Sequence, residues 1–295
     1  MEVALCLSGQ PRLFKRGYKY IKNFLVDEYN IQDIFCHFWW DKDQNTQGNL
    51  ASWNYIKHYD SGHKGGEFSS KGDILNELKT LYNPIYIEYD NPPKNVPLTY
   101  EQINSYLTKY SHKEPNWELY PEEYKQYLYI HLKSILDSQF QVSHFKRMYE
   151  QNRGKKYDLV IRTRYDFALN VDSPKKWKGK FGNFPSLYEI ENKLKENSNY
   201  IFTEWDNLWM YSSEIHDKMI EGMWWNFDEL FNFIVSNDES NLYKESPCKG
   251  IPEHLQGIQA HILKLIPELE IGIDCGLVLP RTEEEFNIVD LKWNL

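Results

Sequence analysis

Cysteine is scarce, with four in 295 residues. Cys6 and Cys36 sit inside apolar segments, Cys248 and Cys275 stand alone, and no two have metal-ligand spacing. That pattern argues against a cysteine metal cluster and a disulfide framework, and leaves buried or incidental thiols. No apolar run approaches the roughly 18 residues of a membrane span, and the mean hydropathy is −0.69. Basic charge is in deficit: 34 Lys plus Arg against 43 Asp plus Glu, a net charge of −9 with pI near 5.5. A general nucleic-acid binder needs a basic footprint, so that class is demoted. The chain opens directly on an apolar run from Glu2 to Leu7, with no charged leader or cleavage site before it, and a cytoplasmic location is the expectation.

Aromatic residues are in excess, with 10 Trp, 22 Tyr and 15 Phe. Aromatic faces stack on sugar C–H surfaces, as in many carbohydrate proteins. A compositional bias absorbed by core packing accounts for them equally well. Apolar residues at 41% and charged residues at 26% are globular proportions. The length suits two domains or one large α/β unit.

Strand and helix patterns alternate through the first half. Val3–Leu7 is an apolar run closed by the turn cluster Ser8-Gly9-Gln10-Pro11. Phe14, Tyr18, Ile21, Phe24 and Leu25 recur at helical spacing. Strands are expected at 34–39, 85–89 and 158–163, with a short helix at 74–81. A long helix starts at Pro121 and stops at Gly154, with Lys146 and Arg147 complementing its C-terminal dipole. Strands joined by helical crossovers imply a mainly parallel sheet with helices on both faces. The second half is less regular. It offers strands at 200–203, 208–211, 270–273 and 277–279, and helices near 213–221, 227–236 and 252–265. The Lys-, Pro- and Asn-rich stretch 171–198 is the best boundary. It divides a ligand-binding half, 1–170, from a second half, 171–295, within one continuous unit.

The most informative segment is Asp158-Leu-Val-Ile-Arg162-Thr-Arg164-Tyr-Asp166. If the strand continues through it, alternation puts Arg162, Arg164 and Asp166 on one face. Ligands of open α/β sheets bind outside the carboxyl ends of strands. Two guanidiniums there can hold a diphosphate, and a carboxylate beside them can hold a divalent ion. The competing reading is a structural ion pair such as Arg164–Asp166. The loop Ser8-Gly9-Gln10-Pro11-Arg12 occupies the same position after the first strand. Gly9 there admits close approach of a ligand, and Arg12 can reach phosphate. A literal Asp-x-Asp, Asp41-Lys42-Asp43, opens a polar loop after the second strand and is common by chance in an acidic chain. Asp206, between two aromatics, and Glu253, at a helix start, are candidate bases, each also explicable as a turn or dipole residue. His254 and His261 share a helical face but have no third partner, so no zinc site is assigned.

Three segments carry a resemblance: Val3-Ala-Leu-Cys-Leu-Ser-Gly-Gln-Pro-Arg12, Phe35-Cys-His-Phe-Trp-Trp40 and Tyr157-Asp-Leu-Val-Ile-Arg-Thr-Arg-Tyr-Asp166. They resemble glycosyltransferases of bacterial and viral surface-glycan systems, similar to lipopolysaccharide-synthesis proteins of the WavE type. The likeness covers the N-terminal half and thins after Asp206. It implies a GT-A-like fold, a nucleoside diphosphate-sugar donor, a glycan hydroxyl acceptor and a place in polysaccharide biosynthesis. It also implies Mn²⁺ or Mg²⁺ at Asp166, although Arg164 stands where the first Asp of the family's Asp-x-Asp motif would be. For a viral chain the compartment becomes the host cytosol. The expected assignment is therefore diphosphate on Ser8, Gly9, Gln10, Arg12, Arg162 and Arg164, metal on Asp166, and Asp206 or Glu253 as base. A sugar-phosphate nucleotidyltransferase and a non-catalytic glycan-binding protein are the alternatives.

Overall fold

The computed structural model describes residues 1–11, 13–40, 73–91, 121–169, 185–204, 208–235, 256, 259–260, 262–267 and 277–278. The chain is α/β. Strand β1 (Val3–Gly9) leads into helix α1 (Phe14–Ile21), which widens into a π-helical turn at Lys22–Val26. Strand β2 (Asp33–Trp39), helix α2 (Ile74–Tyr82) and strand β3 (Tyr86–Asp90) follow. Helix α3 (Glu122–Arg153) ends on Gly154, whose φ of 68° supplies the left-handed stop that a residue with a Cβ disfavours. Strand β4 is Leu159–Thr163 and the short β5 is Ala168–Leu169.

All four strands expected in the first half lie in one sheet. β1 pairs in parallel with β2 on one side and β4 on the other, and β2 pairs in parallel with β3. Helix α4 (Leu187–Glu196) comes next, then β6 (Tyr200–Glu204), β7 (Leu208–Tyr211), α5 (Ser213–Trp225) and α6 (Phe227–Val235). The sheet order is β3-β2-β1-β4-β7-β6, extended at its edge by the two-residue β8 (Ile266–Pro267). Only β7 runs against the rest: it is antiparallel to β4 and β6, while β6 and β8 are parallel. Three residues separate β6 from β7, too few for a parallel crossover, so a reversed strand is the only solution. The sheet thus runs through both halves of the sequence. A separate two-stranded ribbon pairs β5 with β9 (Leu277–Val278), bringing the C-terminal region beside the end of β4.

Helices cover both faces. Leu5, Leu7, Leu159 and Ile161 face α1 and α2 through Phe14, Ile21, Ile74 and Leu78. Ala4, Cys6 and Val160 face α3 and α5 through Val142, Phe145, Ile215 and Met219. Each such side chain contributes roughly 1.5–3 kcal/mol by leaving water. Strands buried on both faces explain why Val3–Leu7 and Leu159–Ile161 read as continuous apolar runs.

Two local features depart from the sequence reading. The polar stretch 171–198 contains α4, started by a reciprocal cap in which Ser186 accepts from the Glu189 N–H and Glu189 accepts from the Ser186 N–H. Lys146 does not lie at an exposed dipole end. It is fully buried between α3 and α5 and paired with Glu150 at 2.8 Å and Asp217 at 3.0 Å. The expected strand 270–273 lies outside the described residues. The expected helix 252–265 is described at residues 256, 259–260 and 262–265, of which 256, 259–260 and 262 are helical and 263–264 form a turn.

Candidate functional site at the carboxyl edge of the sheet

Strand order dictates where a ligand can sit. From β1 the chain steps outward through β2 and β3, then crosses back to place β4 on the other flank of β1. Crossovers leave opposite faces at that reversal, so a crevice opens outside the carboxyl ends of β1 and β4. The loop after β1 and the turn after β4 both lie at this edge.

The first wall is Ser8-Gly9-Gln10. Ser8 and Gln10 are buried and Gly9 is partly open. Gly9 has φ of 107°, a conformation that a side chain would strain. Its N–H donates to Ser138 Oγ of α3 at 3.0 Å. The same hydroxyl lies 2.9 Å from His37 Nδ1, and His37 Nε2 lies 3.1 Å from Asp90 Oδ2 at the end of β3. Burial lowers the pKa of His37 against the opposing pull of Asp90, so the ring favours its neutral form. The β1 loop is therefore braced by a relay through Ser138 to the ends of β2 and β3. Helix α1 starts behind this loop with no side-chain cap and no acidic residue in its first turn. The Arg16 and Gly17 N–H groups bond to the Leu13 carbonyl, and the positive dipole end of the helix is not offset by an acidic side chain of its first turn.

The second wall is the turn after β4. The strand stops at Thr163 and Tyr165-Asp166 turn away. Tyr165 anchors the turn from below, its OH donating to the Leu7 and His37 carbonyls at 3.3 Å. Helix α1 packs against the turn so closely that a Cβ on Gly17 would lie 2.0 Å from the Tyr165 carbonyl oxygen. Arg164 and Asp166 form a two-pronged ion pair, Nε to Oδ1 and Nη2 to Oδ2, both at 2.9 Å. Asp166 is fully buried, while the Arg164 side chain is 31% exposed. Two of the five guanidinium N–H groups go to the carboxylate, and the others remain to meet a ligand.

This geometry bears on the metal expected at Asp166. Both carboxylate oxygens are engaged by a guanidinium and shielded from solvent, and a divalent cation there would sit against the Arg164 charge. As held, Asp166 does not fit a metal ligand. It fits the ion-pair reading and serves to orient Arg164. Among the described residues no three His, Cys, Asp or Glu side chains form a metal-binding group. Asp41 and Asp43 lie outside the described residues.

Arg162 has a different setting from the pair. Its partners in register are Cys6 on β1 and Trp209 on β7, and alternation carries it with Val160 onto the face under α3 and α5. The strand ends at Thr163, so the alternation that would set Arg162, Arg164 and Asp166 on one face does not extend to Arg164 and Asp166. Arg162 is 4% exposed, with its guanidinium carbon 5.5 Å from the Trp209 ring centre. It makes no hydrogen bond or ion pair among the described residues, and burial lowers its pKa. Around it the rings of Trp209 and Tyr211 are 6.2 Å apart, and those of Tyr211 and His216 5.3 Å apart. Trp209 Nε1, Tyr211 OH and His216 Nε2 are buried without a hydrogen-bond partner. Each such group costs roughly 1–3 kcal/mol when left unsatisfied, and these three belong to side chains that neighbour Arg162 one after another.

Beside them lies the buried Lys146 cluster. Glu150 also accepts from the Ser213 hydroxyl at 2.6 Å and from the Tyr157 N–H at 2.8 Å. His216 Nδ1 faces Asp217 Oδ1 at 3.3 Å. Burial, together with the Lys146 and Arg162 charges, brings the His216 pKa down to about 4 in spite of Asp217. No motif announced this cluster. Lys146 and Glu150 are spaced like an ordinary surface pair, and only the docking of α5 buries them.

Arg12, Asp206 and Glu253 lie outside the described residues. The residues that flank the Asp206 segment are informative: Leu208 pairs with Thr163 and Glu204 pairs with Leu208, so both stand at the carboxyl edge of β4. Among the described residues no helix is long and apolar enough to cross a membrane. The sequence matches no protein-family model and no curated protein.

Proposed function

We propose that this protein is a glycosyltransferase that moves a sugar from a nucleoside diphosphate-sugar to a hydroxyl of a glycan acceptor, on a GT-A-like scaffold. The observation that carries the reading is the crossing point between β1 and β4. There a loop turned by a positive-φ glycine, a helix start without a side-chain cap and an arginine oriented by a buried carboxylate meet at the parallel β1–β4 edge of the sheet. The three segments that resemble the family, at 3–12, 35–40 and 157–166, supply the strands of that edge.

In this reading the diphosphate lies against the Ser8–Gln10 backbone and the α1 N-terminus, with Arg12 reaching it from the same loop. Arg164 meets the negative charge that grows on the leaving diphosphate as the glycosidic bond breaks. An arginine held in place beforehand needs no reorganisation at that moment, which is what lowers the barrier. Asp166 is a positioning residue, acting through Arg164. Asp206 is the preferred base for the acceptor hydroxyl, because its flanking strands end level with Thr163. Glu253 is the second choice.

The test is a panel of nucleoside diphosphate-sugars against the purified chain, read first as thermal stabilisation and then as release of nucleoside diphosphate. A ligand at about 100 times its dissociation constant adds roughly 2.7 kcal/mol. Stabilisation by one donor, with slow release of its nucleoside diphosphate, is the expected result. Pyrophosphate made from a nucleoside triphosphate and a sugar phosphate would assign a nucleotidyltransferase instead. Glycan binding with no response to any nucleotide would assign a lectin.

A further inference from the structure

We propose that Arg162, Trp209, Tyr211 and His216 form a second, enclosed site that binds a small free oxyanion carrying a hydroxyl hydrogen, such as protonated phosphate. The site lies between the sheet and helices α3 and α5, not in the crevice of the Arg164 turn. It therefore goes beyond the transfer reaction and does not depend on it.

The argument is one of complementary atoms. Arg162 brings a positive charge and five N–H donors, with no ion pair or hydrogen bond among the described residues. Trp209 Nε1 is a donor only, and Tyr211 OH is a donor or acceptor; both are buried and unpartnered. These groups suit the oxygens of an anion. His216 sets the remaining requirement. Its Nδ1 faces the Asp217 carboxylate at 3.3 Å, which fixes the proton on Nδ1 and leaves a lone pair on the buried, unpartnered Nε2. A lone pair needs a hydrogen from the ligand. Phosphate near neutral pH provides one, and sulfate does not. The neighbouring carboxylates do not compete for Arg162, since Glu150 and Asp217 are both engaged by Lys146. At 4% exposure of Arg162 the enclosure suits a free ion better than a phosphoryl group carried on a large molecule.

The experiment is calorimetric titration of the full chain with inorganic phosphate and, separately, sulfate. It is carried out in an Arg164→Gln background, which weakens the crevice, and the Tyr211 and Trp209 variants distinguish the enclosed site from any anion still held there. Saturable phosphate binding with clearly weaker sulfate binding is expected. Adding Tyr211→Phe, which keeps the ring and removes one hydrogen bond to a charged ligand, should weaken phosphate roughly ten-fold or more. Trp209→Phe should act in the same direction, and thermal melts confirm that each variant is folded. The proposal is overturned if the Arg164→Gln protein binds no phosphate, if Tyr211→Phe and Trp209→Phe both bind it as the background does, or if sulfate binds equally well.

Discussion

The Arg164–Asp166 pair makes a sharp claim about Asp166→Asn. By residue type alone the change is mild, keeping shape while removing charge at what would be a partly exposed site. The structure places Asp166 fully buried with each oxygen 2.9 Å from a guanidinium nitrogen. An amide there turns one acceptor into a donor that faces an N–H. Removing one member of a buried pair costs about 3–5 kcal/mol. Arg164 is 31% exposed and recovers some hydration, which reduces the expected loss to roughly 2–3 kcal/mol. For a chain of this size that lowers the melting temperature by about 3–5 °C. Circular dichroism melts of wild type, Asp166→Asn, Arg164→Gln and the double variant complete a thermodynamic cycle, which should return a coupling of about 2 kcal/mol. Donor stabilisation should fall in both single variants, because Asp166 acts by orienting Arg164. Added Mn²⁺ should not raise the wild-type melting temperature. An Asp166→Asn protein that melts within 1 °C of wild type, or a Mn²⁺ stabilisation that this variant abolishes, would refute the pair and return Asp166 to a metal.

Other consequences follow from the same geometry. His216 takes up its proton at about 4 when folded and near 6.5 when unfolded, so the unfolded state binds more protons between those values and stability falls on acidification. Urea midpoints should drop by the equivalent of roughly 3 kcal/mol from pH 7 to pH 4, and a profile that His216→Gln leaves unchanged would contradict the assignment. Gly17→Ala puts a methyl 2.0 Å from the Tyr165 carbonyl oxygen; it should destabilise by about 1–3 kcal/mol and reduce donor stabilisation by shifting the Arg164 turn. Ser138→Ala removes the acceptor of the Gly9 N–H and the partner of His37, and chemical denaturation should show a loss of about 1–2 kcal/mol.

The sheet was legible because its strands are buried on both faces and therefore apolar throughout, as at Leu159-Val-Ile161, with helical periodicity between them. The stop at Gly154 was legible because few residues tolerate its φ. The edge of β4 was harder to read. Alternation placed Arg162 correctly with Val160, but nothing local says that the strand ends at Thr163, since Arg164-Tyr165-Asp166 would suit a strand equally well. Where it ends, α1 packs at Gly17 against the Tyr165 carbonyl, a contact between residues far apart in sequence. Helix α4 was hidden by a Lys- and Asn-rich composition and buries Ile190 on the sheet, yet the Ser186–Glu189 cap was a readable signal. The reversed direction of β7 was likewise available from the shortness of the connection before it. The Arg162 and Lys146 surroundings were not, because they exist only where α3, α5 and β7 meet.

The parallel seam between β1 and β4 also constrains the order in which the molecule can assemble. It joins positions as distant as Glu2 and Asp158, 156 residues apart, whereas β1, β2 and β3 are complete once Asp90 has been made. During synthesis at roughly 5–20 residues per second, the first three strands exist for several seconds with one flank of β1 unpaired. An unpaired flank on an apolar strand invites intermolecular pairing until β4 arrives. The crevice is built on that seam, so it cannot form before β4 joins β1. Any ligand that grips both the β1 loop and the Arg164 turn would act as a clasp on that seam.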